Sequence, residues 1–328
     1  MQKKYDFVMR LKKYRCGLIV LLMLIPIFTY GCGSDQGATV VDFSKTEAAE
    51  RSQDRASEYP YLKVAVGAMI SPKETFTYYR QLMEYIGSRL GRKVQLIQRK
   101  TYGEINELLG KGRIDIAFIC SGPYVTGKEK YGFDLLAIPE VQKSTFYQSY
   151  LIVNTSSSYR HLKDLKGHLF AFTDPESNTG KMVPTYWLSQ MGEEPEDFFE
   201  KTIYTYSHDN SILAVARNLV DGAAVDSLIW EYYHQKNPVF TAKTRIIKKS
   251  EPYGIPPIVA SGNLSAKFKR TIRHLLFSMH LDPEGQKILR ELRIDRIIAA
   301  TDQWYESIQK MKEKIIIKKE ITDAPAKS

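Results

Sequence analysis

The pattern of apolar and polar positions between residues 59 and 317 switches repeatedly between two periods. Short runs of mainly apolar residues, such as Leu169–Phe172, have the length and composition of buried strands. Between such runs, apolar residues recur at helical spacing, as in Phe76, Tyr79, Met83 and Ile86. Strands that alternate with helices predict an α/β fold with mainly parallel strands, and this length is enough for two lobes.

The predicted elements follow from these runs and from the Gly, Pro and capping residues around them. The strands are 62–66, 94–97, 114–120, 135–138, 150–153, 169–172, 203–206, 220–226 and 245–249. The helices are 76–90, 102–109, one that begins at 121, 181–190, 211–218, 227–234, 265–279, 282–289 and 301–314. The proline-rich segment 251–257 is typical of a crossover between lobes.

The segment Thr173–Gly180 joins a predicted strand to a predicted helix. In open α/β sheets, ligands bind at the carboxyl ends of strands. The first N–H groups of a helix lack intrahelical partners and carry partial positive charge, which favours an anion. Ser177, Asn178, Thr179 and the backbone at Gly180 are therefore a candidate anion site, although these residue types are also ordinary helix caps.

A second strand-to-helix junction has the same character. The predicted strand that ends at Tyr206 is followed by Ser207, His208, Asp209 and Asn210, and then by a helix. A second helix start could therefore face the same anion. The simpler interpretation is that His208 has a structural role beside an ordinary helix cap.

The N-terminal region has the pattern of an export signal. Six basic side chains precede the apolar run 17–29, and those 13 residues fall short of the roughly 20 needed to span a membrane. Cys32 follows the small residue Gly31, which resembles the lipobox of bacterial lipoproteins, where the Cys is lipidated. An uncleaved signal anchor and ordinary signal cleavage are the alternatives.

The terminal segments complete this organisation. We expect a lipoprotein-type signal peptide at 1–31, a flexible tether at 32–58 and a polar tail at 318–328. The protein is then a lipoprotein anchored to a membrane, in the periplasm or cell envelope.

Charge and cysteine content exclude several classes of protein. The formal net charge is +10, and half of that excess lies in the signal. No dense Lys/Arg patch interleaved with aromatic residues occurs, so no nucleic-acid partner is expected. A mild positive excess favours an anionic ligand. Apart from Cys16 and Cys32, Cys120 stands alone, so no disulfide framework is expected. The six His residues lack metal-ligand spacing, and neither a metal nor a cofactor is expected.

Four stretches of the chain resemble the periplasmic substrate-binding proteins of ABC importers for phosphate, phosphite and phosphonate. They are 114–118 with Gly122 and Pro123, 162–167 with 170–172, 174–180 with Pro184, and 207–209 with 213–216 and 220–221. The segment 162–167 alone is generic to binding proteins. The central loop and the Ser-His-Asp strand end, together at this spacing, are specific to the family, and the resemblance covers about residues 62–314.

This resemblance implies a two-lobed periplasmic binding protein of type II, with one ligand held in the cleft between the lobes. Lobe 1 is then 59–148 plus 255–317, and lobe 2 is 149–254. The implied partners are a small oxyanion and an ABC permease in the inner membrane. The protein is expected to act as a monomer, without catalysis.

The resemblance also implies the ligand contacts, which are Ser177, Asn178, Thr179, His208, Asp209, Asp226, Glu231 and Tyr124. The oxyanion is held by Ser177, Asn178, Thr179 and His208. In phosphonate binders, acidic residues hold the ligand's amino group, and the nearest positions in this chain are Asp209, Asp226 and Glu231. Tyr124 closes the site from lobe 1, with Tyr78 or Tyr79. Beside a dianion, His208 is expected to carry positive charge and a raised pKa. An acid in the pocket selects an oxyanion that retains a proton or an amine over sulfate.

Three other functions fit parts of the pattern. Ser177, His208 and Asp226 are nominal members of a hydrolytic triad, but the chain has no G-x-S-x-G elbow, P-loop or G-x-G-x-x-G fingerprint. A ligand sensor for a membrane receptor or sensor kinase needs the same closing clamp as an importer. The two-lobed fold also serves ligands other than phosphorus oxyanions.

Overall fold

The computed structural model of the protein describes residues 61–323, and its strands form two large sheets. In chain order the strands are β1 (Tyr61–Val66), β2 (Lys93–Ile97), β3 (Ile116–Phe118), β4 (Asp134–Glu140), β5 (Phe146–Tyr147), β6 (Ser149–Asn154), β7 (Leu169–Phe172), β8 (Lys201–Tyr204), β9 (Gly222–Asp226), β10 (Thr244–Lys249), β11 (Tyr253–Gly254), β12 (Ile258–Ala260) and β13 (Arg296–Ile298). The predicted signal 1–31, the lipidation site Cys32 and the tether 32–58 lie outside the described residues.

Capping residues mark the ends of several helices. They are α1 (Pro72–Leu90), α2 (Tyr102–Gly110), α3 (Ser121–Tyr131), α4 (Val183–Gln190), α5 (Pro195–Phe198), α6 (His208–Ala216), α7 (Ser227–Lys236), α8 (Ala266–Ser278), α9 (Pro283–Glu291) and α10 (Glu306–Asp323). Thr101 and Glu104 form a capping box at the start of α2, and Gly91 ends α1 in the left-handed region, with φ 63°.

The two sheets confirm the predicted two-lobed α/β fold. The first sheet has the order β13-β4-β12-β3-β1-β2, and the second has the order β10-β6-β9-β7-β8. Each sheet has its own apolar core, with Leu82 and Ile272 fully buried over the first and Val215 fully buried over the second. Burial of such side chains contributes roughly 1.5–3 kcal/mol each.

The alternation of strands and helices predicted mainly parallel strands, and this prediction is wrong. Strand pairing is mixed. Strand β1 is parallel to β2 and β3, and β7 is parallel to β8 and β9. By contrast, β12 is antiparallel to β3 and β4, and β6 is antiparallel to β9 and β10. Both β6 and β12 come directly after a crossing between the lobes, so they run opposite to the strands that helices connect. Apolar runs do not encode that direction.

The two crossings lie side by side. Strands β5 and β11 pair antiparallel, with Tyr147 opposite Tyr253 and Phe146 opposite Gly254. This two-residue pairing holds the two connections next to each other between the lobes. A few residues of this kind are enough to absorb a hinge rotation.

Helix α10 contacts both lobes and is longer than predicted. Ile308 and Met311 are buried with Trp187 of α4, and the helix also packs against α3. No Gly or Pro occurs between Glu306 and Asp323, so the chain carries no stop signal there. Part of the segment expected as a polar tail is therefore helical.

Candidate functional site

The loops that follow β1 and β8 meet between the two sheets. The backbone N–H of His208, the first residue of α6, donates to the carbonyl oxygen of Met69 at 2.9 Å. The carboxylate of Asp209 accepts the backbone N–H of Ser71, also at 2.9 Å. Both bonds join lobe 2 to lobe 1, so the Asp209 carboxylate is engaged by the opposite lobe.

The loop between β7 and α4 is tight, polar and buried. The hydroxyl of Ser177 accepts the backbone N–H of Gly180 at 3.0 Å, and Asn178–Met182 form a single turn of π-helix, a feature frequent at functional sites. Ser177, Asn178 and Thr179 are all fully buried. Ser177 thus acts as a cap, and its own hydroxyl proton is still available as a donor.

One contact of this loop with lobe 1 is made by a phenol. The side-chain amide of Asn178 donates to the hydroxyl of Tyr147 at 3.1 Å. The same hydroxyl bonds to Ser121 at the start of α3, and Cys120 Sγ lies 3.7 Å from it. A hinge strand, a helix start and the β7 loop therefore meet at Tyr147.

A glycine permits this close approach. A Cβ atom on Gly122 of α3 would lie 2.4 Å from the carbonyl oxygen of Glu176 in the opposite lobe. We expect Gly122→Ala to leave both lobes folded and to hold them apart, because the clash is only between lobes. Small-angle scattering should then show a larger radius of gyration. Gly262→Ala is the control, since a Cβ there has ordinary clearance, and an unchanged radius for Gly122→Ala would contradict the contact.

The protonation state of His208 follows from its partners. The backbone N–H of Asp226 donates to Nδ1 at 3.1 Å, so Nδ1 carries no proton. The neutral ring then carries its proton on Nε2, which is buried and has no partner among the described residues. Burial lowers the pKa of His208 from 6.5 to about 3. In this structure desolvation disfavours the charged ring, and an N–H group faces the nitrogen that would take the proton. The charged His208 expected beside a bound dianion stays a prediction.

Asp226 is buried beside His208. Its carboxylate accepts the backbone N–H of Leu228 at 2.7 Å and caps α7. Burial raises the pKa of Asp226 from 3.8 to about 7. The backbone N–H of Asp226, and not its carboxylate, faces the ring of His208. A hydrolytic triad needs the carboxylate in that position, so the geometry does not favour the triad.

Several buried polar atoms in these loops have no hydrogen-bond partner in the described part of the chain. They are Asn178 Oδ1, Thr179 Oγ1, Ser207 Oγ, His208 Nε2 and the Tyr102 hydroxyl. Each such atom costs roughly 1–3 kcal/mol when it stays unpaired. A group of them therefore marks a place where a ligand or water completes the hydrogen bonding. Hydroxyl and N–H donors predominate, which suits an anion.

A cavity of about 480 Å³ lies between the lobes, and its described wall includes none of the residues that carry these unpartnered atoms. Met69, Tyr147 and Asp226 line the cavity, and each also bonds to His208 or Asn178. Glu231 lines the cavity as well, and its carboxylate accepts the hydroxyl of Tyr150 at 3.2 Å. The structure thus brings two of the three predicted acids, Asp226 and Glu231, to one space.

Tyr124 lies apart from this space. Its hydroxyl donates to Asp302, and its ring packs edge-on against Tyr305 with centroids 4.6 Å apart. From lobe 1, Tyr78 and Tyr79 line the cavity instead. Tyr124 is therefore committed to contacts within the segments expected to form lobe 1.

Sequence reasoning missed Tyr147 and Tyr102. Tyr147 lies on a strand of only two residues, and its position at a crossing is visible only in the fold. The position of Tyr102 could be inferred from the sequence, because it follows the predicted strand 94–97 and so lies at the same sheet edge as the other candidate loops. Its backbone N–H donates to the carboxylate of Asp174 in lobe 2 at 3.1 Å.

Residues 61–323 contain neither a candidate metal site nor a helix suited to span a membrane. Those residues contain no group of three or more His, Cys, Asp or Glu side chains placed to hold a metal ion. Within the same range, no helix has both the length and the apolar character needed to cross a membrane. Cys120 is buried with a free thiol, and burial raises its pKa.

Comparison with known proteins gives the family of this chain. The sequence profile of the family described as "ABC transporter, phosphonate, periplasmic substrate-binding protein" matches residues 64–305. This chain belongs to that family. The phosphonates-binding periplasmic protein of Escherichia coli (strain K12) is 26% identical over 250 residues, which are 75% of this chain and 72% of that protein.

A second relative matches over a shorter span. A probable ABC transporter phosphite-binding protein of Prochlorococcus marinus (strain MIT 9301) is 27% identical over 171 residues, which are 50% of this chain and 58% of that protein. The match thus spans little more than half of that relative's length.

Solved structures of family members share the fold. A binding component of a phosphonate ABC transporter from Pseudomonas aeruginosa has a TM-score of 0.77 at 22% identity, over 82% of this chain and 90% of that one. The Prochlorococcus protein, solved with methylphosphonate, has a TM-score of 0.71 at 20% identity, over 78% of this chain and 98% of that one. At these identities the likeness shows the two-lobed fold.

Proposed function

We propose that this protein is the extracytoplasmic substrate-binding component of an ABC importer and captures phosphate, phosphite or a phosphonate between its lobes. The observation that carries the proposal is the group of buried, unpartnered polar atoms at Thr179, Ser207 and His208. Membership of the family supports the same ligand class, as do the two relatives whose names specify phosphite and phosphonates.

The available donors fit an oxyanion. The hydroxyls of Thr179 and Ser207 and the Nε2–H of His208 can each donate, and hydrogen bonds to a charged acceptor are stronger than neutral ones. The start of α6 adds the positive end of a helix dipole. Asn178 Oδ1 is an acceptor, and Asp226 keeps a proton below about pH 7. This mixture favours an oxyanion that retains a proton or an amine over sulfate.

The mechanism is binding by closure, without chemistry. The lobes in this proposal are 59–148 plus 255–317 and 149–254, with the paired strands β5 and β11 as the hinge. The bonds from His208 and Asp209 to the opposite lobe form as the cleft closes. The closed protein, a monomer, then docks on a permease in the inner membrane.

The proposal includes the N-terminal segments. Residues 1–31 direct export, Cys32 carries a lipid, and 32–58 tether the binding lobes to the membrane. A tether of this kind raises the effective concentration of the closed protein near its permease.

A thermal-shift panel tests the ligand class. The ligands are phosphate, phosphite, methylphosphonate, 2-aminoethylphosphonate and sulfate. A ligand at about 100 times its Kd stabilises the folded state by about 2.7 kcal/mol, which is readily seen as a raised melting temperature. We expect a phosphorus oxyanion to produce this shift and sulfate to produce none.

A pair of threonine variants links that shift to the site. Thr179→Val removes a buried, unpartnered hydroxyl with little change in volume, so the shift should fall sharply. Thr185→Val is the matched control, because its hydroxyl is also buried and unpartnered but lies in α4. The absence of a shift with every phosphorus oxyanion, or an equal shift with sulfate, would refute the proposed ligand class.

A further inference from the structure

The cavity between the lobes is far larger than an inorganic oxyanion. Its volume is about 480 Å³. One water molecule takes roughly 30 Å³ in the liquid, and phosphate is only a few times that size. Pockets of roughly 300–1,000 Å³ typically hold drug-sized ligands. The cavity therefore has space for a sizeable organic group. It reaches the donor loops through wall residues, since Asp226 bonds to His208 and Tyr147 bonds to Asn178.

The wall of this cavity is rich in aromatic rings. Tyr78 of α1 and Tyr232 of α7 meet edge to face across the two lobes, with ring centroids 5.2 Å apart. Tyr79 lies edge-on to Phe118 at 5.6 Å, and Tyr233 lies edge-on to Tyr232 at 5.7 Å. All five line the cavity. Rings held in this way offer faces and edges that suit another ring.

Most polar groups of the wall are already bonded within the protein. The hydroxyl of Ser227 accepts the backbone N–H of Gln148 at 3.0 Å, and the carboxylate of Glu231 accepts the hydroxyl of Tyr150. The carboxylate of Asp226 caps α7. Exceptions in the described wall are the Tyr233 hydroxyl and Arg293 Nε. Because both carboxylates have partners, the wall does not require a cationic ligand group.

We propose that the substrate is an organophosphorus compound with an aromatic or bulky apolar organic group. Its oxyanion binds the donors at Thr179 and His208, and its organic group packs among Tyr78, Tyr79 and Tyr232. This inference rests on the proposed function and narrows it. Inorganic phosphate would leave the aromatic wall in contact with water, whereas an organic group would remove that apolar surface from water.

Isothermal titration of the full chain with phenylphosphonate and methylphosphonate tests this proposal. The two ligands share the oxyanion and differ in the organic group. At roughly 25 cal/mol per Å² of buried apolar area, the phenyl ring should tighten binding by tenfold or more. Tyr232→Ala should remove most of that advantage and leave methylphosphonate affinity within about twofold. Tyr232→Phe keeps the ring and should keep the advantage.

The outcomes separate this inference from the proposed function. If methylphosphonate binds and phenylphosphonate binds no tighter, the aromatic subsite is refuted and the proposed function stands. If neither phosphorus ligand binds, both proposals fail. An equal loss of both ligands in Tyr232→Ala would show that the ring serves closure of the lobes, and that result also overturns the subsite.

Discussion

Replacement of His208 by phenylalanine is expected to lower affinity for a phosphorus oxyanion by roughly 10- to 100-fold, since a hydrogen bond to a charged group is worth about 1.5–3 kcal/mol. The expectation rests on the tautomer. Because Nδ1 accepts the backbone N–H of Asp226, the proton resides on Nε2, which is buried and has no partner among the described residues. Phenylalanine keeps a ring of similar size and removes that donor. Isothermal titration measures the loss.

The control is a second histidine of lobe 2. His234 stacks on Trp230 at 4.6 Å and lies 3.2 Å from the hydroxyl of Thr241, and His234→Phe should leave affinity unchanged. A thermal melt without ligand confirms that His208→Phe is folded. Full affinity in a folded His208→Phe variant would remove this side chain from the site.

Asp226→Asn is expected to stabilise the protein above pH 7, with little effect near pH 4. The pKa of Asp226 is raised from 3.8 to about 7, so the folded state holds its proton more tightly than the unfolded state does. As the pH rises from about 4 to about 7, the unfolded state therefore ionises first and the wild-type protein loses stability. The full loss is on the order of 4 kcal/mol, and asparagine caps a helix about as well as aspartate.

The measurement is the free energy of unfolding of both proteins from pH 4 to pH 8. The advantage of the variant should grow up to about pH 7 and then stay constant. Burial lowers the pKa of His208 to about 3, which destabilises the folded state as the pH falls below 6.5. Both proteins share that effect, so the difference between them isolates Asp226.

Another capping aspartate provides the control. Asp282 caps α9 by accepting the backbone N–H of Gly285. Desolvation opposes the shift, but hydrogen bonds from Tyr85 and Arg89 lower the pKa of Asp282, so its carboxylate stabilises the folded wild-type protein. Asp282→Asn should therefore be less stable than wild type at neutral pH, and this deficit should shrink in acid. A constant difference between Asp226→Asn and wild type across the whole pH range would contradict a raised pKa at Asp226.

Much of the fold could be predicted because local chemistry sets it. The apolar run Leu169–Phe172 became β7, and the Gly-bounded pattern after Tyr102 became α2, with ends within a residue. Strand direction could not be predicted, because the direction of β6 and β12 depends on two distant crossings that lie together. The predicted helix ends at residue 314, but α10 continues to Asp323. The residues between 314 and Asp323 contain no Gly or Pro that would end the helix.

The contact between the two candidate loops could be predicted, because each loop follows the end of a strand. Ser177, Asn178, Thr179 and His208 follow strand ends and occupy contacting loops, as their positions in the sequence suggest. The direction of the pKa shift at His208 depends on burial and on a backbone N–H from another strand, and neither is visible in the sequence. Residue type alone cannot show that Tyr124 is committed to Asp302.

The place of β12 sets an order of assembly. This strand lies between β3 and β4, although it follows both of them by the whole of lobe 2 in the chain. Until residues 258–260 are available, the first sheet has a gap at its centre, and the facing edges of β3 and β4 are open to wrong partners. The second sheet uses only the continuous segment 149–249, so it can be completed first. The part of lobe 1 that is synthesised first is therefore the last to be completed, and it is the part that a chaperone would need to protect until residues 258–260 pair with it.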